Sequence, residues 1–102
     1  MIETIDQEGA LVVSPTCDIV ASSADALRQE LRSLVDAGHH HLVIDLKQVS
    51  MLDSKGLAVF VLCHKSLKQV NGTFKVVTDN EDFRQLFHAM RLDQHFEVAN
   101  SI

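Results

Sequence analysis

The chain is 102 residues long with a mass of 11.3 kDa, room for one domain and not for two. Apolar residues make up 46% and charged residues 23%, so a core forms without disulfide or metal staples and a disordered chain is excluded. Fourteen acidic against nine basic residues leave a net charge of −5 with no basic stripe, which speaks against direct nucleic-acid binding.

Thr4 to Gln7 and Ala10 to Ser14 are β-prone runs on either side of Glu8-Gly9 and predict two strands joined by a tight turn. Pro15 lacks an amide proton and ends the second strand. Ser22 or Ser23 can cap a first helix, and Asp25, three residues after Ser22, resembles the far half of a capping box. Leu27, Leu31, Leu34 and Val35 form one apolar face, and Gly38 stands where a left-handed C-cap is wanted. His41 to Leu46 is an apolar run of strand length without strict alternation, which predicts a central strand covered on at least one face.

Val49 to Ser54 reads as a loop or a short strand extension. Lys55 to Val70 predicts a second helix, stopped by Gly72, with Leu57, Phe60, Val61, His64 and Leu67 on one face. Val59, Leu62 and Cys63 make much of the remainder apolar, so this helix is expected to be the most buried. Thr73 to Thr78 reads as a strand. Asn80 can cap a last helix carrying Phe83, Leu86, Phe87 and Met90 at helical spacing, and Phe96-Glu97-Val98 can add a short edge strand. The order β-β-α-β-α-β-α-β predicts a single α/β domain over residues 1–102. Right-handed crossovers give parallel pairs, the N-terminal hairpin makes the β-sheet mixed, and three helices lie mainly on one face.

No apolar run approaches the roughly 18 residues of a membrane span, so no membrane partner is expected. Met1-Ile2-Glu3-Thr4-Ile5-Asp6 has no basic stretch followed by an apolar one, which predicts no signal peptide. Cys17 and Cys63 lie outside any CxxC and read as reduced thiols of a cytoplasmic protein. With no Trp, no Tyr and five Phe, a binding surface must work through backbone, aliphatic and charged groups.

The informative stretch is Asp45-Leu46-Lys47-Gln48-Val49-Ser50-Met51-Leu52-Asp53-Ser54-Lys55-Gly56-Leu57-Ala58. It combines a buried strand, a loop, and an acid-serine pair at a helix start. Ser54 has the residue type of an N-cap, and Asp53 suits the positive end of the helix dipole. Gly56 costs helix propensity, so something is expected to approach the backbone closely there. Asp45, at a strand end, is expected to hold the following loop through backbone hydrogen bonds.

This stretch resembles the signature of the STAS domain, the fold of bacterial anti-sigma factor antagonists. In that family an apolar strand ending in Asp precedes a short loop and Asp-Ser-Ser-Gly-Leu at a helix start. Here Ile44-Asp45-Leu46, Val49 and Met51-Leu52-Asp53-Ser54-Lys55-Gly56-Leu57 carry the match, and the element order agrees over nearly the whole chain. Lys55 replaces the frequent second Ser. Pro15-Thr16-Cys17-Asp18-Ile19 keeps the Asp of a common Gly-Glu-Leu-Asp segment and loses its Gly. The resemblance implies that Ser54 is phosphorylated by an anti-sigma factor with serine kinase activity, and that a serine phosphatase reverses this. It implies partner binding through Asp18, Asp53, Ser54, Lys55, Gly56 and Leu57, with the unphosphorylated form the one that binds.

Bland readings stand beside these. Ser54 can be only a cap, and the domain a STAS scaffold or accessory subunit that is never phosphorylated. His39-His40-His41 invites a metal reading, but at most His39 and His41 share a side and no further ligands cluster, so no metal is expected. Cys63 reads as a small buried hydrophobe. Asp45 lacks the companion acids of a phospho-accepting aspartate site. Leu52-Asp53-Ser54-Lys55-Gly56 lacks the first Gly of a nucleophile elbow, and there is no phosphate-binding glycine loop. The chain is therefore expected to be a binding protein without a cofactor, not an enzyme.

Overall fold

A computed structural model describes residues 2–101. In chain order it contains β1 (Ile2–Gln7), β2 (Ala10–Pro15), α1 (Ala21–Asp36), β3 (His41–Asp45), α2 (Ser54–Gln69), β4 (Thr73–Val77), α3 (Glu81–Ala89), a 3₁₀ turn (Leu92–Gln94) and β5 (Glu97–Ala99). The strands lie in the order β1-β2-β3-β4-β5, with β1 antiparallel to β2 and every later pair parallel. This is the predicted mixed sheet. Glu8 and Gly9 both take positive φ, 53° and 87°, the sign pattern of a hairpin turn whose twist matches its strands.

Alternation along the strands decides which face carries the helices. Leu11 and Val13, Leu42 and Ile44, and Phe74 and Val76 share one buried cluster with Leu27 and Leu31 of α1, Phe60 and Leu67 of α2, and Phe83 and Phe87 of α3. In register on the opposite face run Ile5, Val12, Val43, Lys75 and Glu97. Ile5 is 64% exposed there. Phe60 stacks on Phe87 at 6.2 Å between ring centroids, Phe74 meets Phe96 edge-on at 5.0 Å, and His64 closes the group 5.7 Å from Phe96.

The start of α1 and the apolar faces of the later helices depart from the sequence reading. The N-cap of α1 is Val20, which has no polar side chain. Neither serine takes that position: Ser22 is exposed, and Ser23 in the first turn reaches back, its Oγ accepting from the Val20 amide at 3.1 Å and donating to the Asp18 carbonyl at 2.6 Å. Asp25 faces solvent and pairs with Arg28 at 2.7 Å instead of closing a capping box. The second helix ends before Gly72 as expected, and the left-handed turn that follows it is made by Asn71 (φ 58°). Gly72 is needed for space, because a Cβ there would lie 2.1 Å from the His40 carbonyl oxygen. Finally, the face of α2 is rotated from the one expected. Val59 and Cys63 are buried with Leu57, Phe60 and Leu67, Val61 is half-buried, and Leu62 is 51% exposed. Met90, expected on the apolar face of the last helix, is also 51% exposed. Gly38 (φ 101°) and the Asn80 cap, which accepts from the Phe83 amide at 3.1 Å, stand as predicted.

Candidate functional site

Parallel strands place the first turns of α1 and α2 at the same end of the sheet. Two segments meet there. Ile19 donates its amide to the Met51 carbonyl at 2.9 Å, and Asp53 donates to the Ile19 carbonyl at 3.2 Å. Asp18 fastens the junction: its Oδ1 accepts from the amides of Ser50 at 3.1 Å and Met51 at 3.0 Å. Asp45 does what its position predicted, with Oδ1 accepting from the Lys47 amide at 3.0 Å.

Asp53 is the node of the site. It is the N-cap of α2, where Oδ1 accepts from the amides of Lys55 at 3.0 Å and Gly56 at 3.1 Å. Its Oδ2 accepts from the amide of Ala21, the first residue of α1, at 3.0 Å. One carboxylate thus joins the starts of both helices and fills donors that helix geometry leaves open. The Gly56 hydrogen bond above all, with those of Ala21 and Lys55 and the Lys55 charge, holds the Asp53 carboxyl below its ordinary range. Gly56 answers the expectation of a close approach. A Cβ there would lie 2.5 Å from the Ile19 carbonyl oxygen and 2.6 Å from its Cγ2.

This geometry corrects the reading of Ser54. The cap is Asp53, and Ser54 is the first residue of the helix. Ser54 is exposed, and among the described residues its hydroxyl makes no hydrogen bond. The partner-contact expectation is corrected for two further residues. Gly56 is buried beneath Ile19 and Leu57 is 2% exposed in the core, so both shape the site from below and offer no surface. Asp18, Asp53, Ser54 and Lys55 do come together at the helix starts. The sequence reading missed the Ala21 amide, the Ile19 carbonyl and Met51, which is 60% exposed beside the site. Gly56 signalled the close approach of Ile19 alone.

The remaining candidates lie elsewhere. His41 Nδ1 sits 2.9 Å from Thr73 Oγ1. Among the described residues no three His, Cys, Asp or Glu side chains converge as a metal site, and no helix is long and apolar enough to cross a membrane. Cys17 and Cys63 are unpaired thiols, and burial pushes the Cys63 thiol up to about 12, which leaves it unreactive.

The profile of the STAS domain matches residues 1–102. The chain belongs to the STAS domain family. BtrV of Bordetella bronchiseptica is 31% identical over 99 residues, covering 96% of this chain and 85% of BtrV. The anti-sigma-B factor antagonist of Bacillus subtilis is 32% identical over 98 residues, covering 96% of this chain and 89% of that protein. The crystal structure of an anti-sigma factor antagonist from Mycobacterium paratuberculosis superposes with a TM-score of 0.89 at 30% identity, over 100% of this chain and 86% of that one.

Proposed function

We infer that this STAS domain is an anti-sigma factor antagonist switched at Ser54. In its unmodified form it binds an anti-sigma factor with serine kinase activity; phosphate on Ser54 ends that contact, and a serine phosphatase restores it. The domain itself is a regulatory binding protein with no catalytic role or cofactor. The observation that carries this reading is the division of labour between Asp53 and Ser54. Asp53 does the capping, so the exposed Ser54 hydroxyl is spared for modification. Relatives named as antagonists of anti-sigma factors support the partner class.

The switch has a simple physical form. Phosphorylation adds about −1.5 to −2 charges at neutral pH. The dipole of α2 tolerates this charge, so the fold survives. The Lys55 and Gly56 amides are already taken by Asp53, so the phosphate projects outward into the contact surface. Burying it without a partner costs several kcal/mol, and about 1.4 kcal/mol is tenfold in affinity. A loss of about a thousandfold follows without a change of fold.

The test uses the cognate kinase, ATP and mapping of the modified residue by mass spectrometry. Ser54→Ala is expected to accept no phosphate and to bind constitutively, and Ser54→Asp to stay folded and bind much more weakly. Phosphate on another residue, or wild-type affinity in Ser54→Asp, overturns the mechanism.

A further inference from the structure

The core takes Phe83 and Phe87 of α3, which leaves Glu81, Arg84, Gln85 and His88, spaced i, i+3, i+4 and i+7, on another face of that helix. With Asp93 of the 3₁₀ turn and Val98 of β5 they line a cleft of about 300 Å³. Two polar groups in it are matched to each other: His88 Nδ1 lies 2.9 Å from Asp93 Oδ2. Two charges are not matched. The Arg84 side chain has no hydrogen bond or ion pair among the described residues, and its Nη1 is shut off from water. Glu81, one turn earlier, is exposed and has no partner among the described residues either. A donor shielded from water without an acceptor costs stability, and a guanidinium is matched best by a carboxylate that takes two parallel hydrogen bonds.

We propose that this cleft binds a free aliphatic α-amino acid, with its carboxylate on the Arg84 guanidinium, its ammonium on Glu81 and its side chain against Val98. Each unmatched group then gains the partner it lacks. A plain anion satisfies Arg84 but faces the Glu81 carboxylate, and a plain cation meets the reverse, so the two opposite charges select a zwitterion. The cleft volume stands at the low end of the range for ligand sites, which suits a molecule of this size and not a nucleotide. None of the lining residues belongs to the group formed by Asp18, Asp53, Ser54 and Lys55, so the site is separate from the proposed switch and does not rest on it.

The probes are L-leucine, N-acetyl-L-leucine, L-leucinamide and inorganic phosphate, followed by amide chemical shifts. Each is titrated to about 50 mM, because an open cleft with so few contacts binds weakly. Leucine is expected to shift the amides of Arg84, Gln85 and Val98. Blocking either of its charges, as in N-acetyl-L-leucine or L-leucinamide, is expected to weaken binding about tenfold, the loss of one charged hydrogen bond. Arg84→Gln is expected to abolish leucine binding while the ligand-free melting temperature stays level or rises, since an unmatched guanidinium has been removed. Glu81→Gln is expected to weaken leucine but not N-acetyl-L-leucine, which has no ammonium for Glu81 to hold. No shift with leucine, shifts confined to another face, or a blocked form or phosphate binding as tightly as leucine overturns the inference. So does an Arg84→Gln protein that binds leucine like wild type. A ligand-free melting temperature that falls in Arg84→Gln assigns the guanidinium to the fold and overturns it as well.

Discussion

The two ends of α2 are held by different physics. At its start, Asp53, Asp18 and the Ile19 and Met51 backbones make a lattice of hydrogen bonds at an exposed surface. Along its body, Phe60 packs with Phe74 and Phe87, and Phe96 closes the cluster around His64. The first end fixes the position of Ser54 through backbone amides and leaves the surface free to gain or lose charge. The second supplies stability through apolar area removed from water. A chemical switch at the first end therefore need not disturb the second.

The largest effect that would sharpen this contrast is at the aromatic end. Phe60→Ala is expected to cost about 3–5 kcal/mol by chemical denaturation, from lost transfer energy and the cavity left behind. A midpoint unchanged from wild type would mean that the cluster does not carry the fold. Gly56→Ala comes next, at about 1–3 kcal/mol, because its Cβ meets the Ile19 backbone and forces the helix starts apart. This variant is also expected to lose partner binding, whereas Phe60→Ala that remains folded is expected to keep it. Equal binding by both variants would erase the distinction between the two ends.

The ends are also expected to differ in pH response. Asp53 titrates below its ordinary 3.8 in the folded chain, so it adds stability above that value and loses it as pH falls through the lower folded value. The melting-temperature advantage of wild type over Asp53→Asn is expected to shrink below about pH 3.8. His64 is lowered from 6.5, first by burial, then by the charges of Lys68 and His95. The unfolded chain binds the proton more readily, so the His64 contribution is present above pH 6.5 and lost as pH falls through its folded value. Wild type is expected to lose melting temperature relative to His64→Leu between pH 7.5 and 5, and a pH-independent difference would refute this. The smallest effect is Ser54→Ala, within about 0.5 kcal/mol, since Asp53 does the capping. A larger loss would return the capping role to Ser54.

Element order, the mixed sheet, the Asn80 cap and the Asp45 loop anchor were legible in the sequence because each depends on periodicity or on contacts a few residues apart. The acid-serine pair likewise marked the start of α2, and Gly56 marked a close approach without naming what approached. The division of roles between Asp53 and Ser54 was not legible: both are good caps, and a shift of one residue in the helix start exchanges them. Only the tertiary structure decided it, by bringing the Ala21 amide, 32 residues away in sequence, onto Asp53 Oδ2. The outward turn of Leu62 was decided in the same way. An apolar residue on a largely apolar helix carries no local sign of which side the neighbouring helix leaves open, and here the placement of α1 across the sheet set that side.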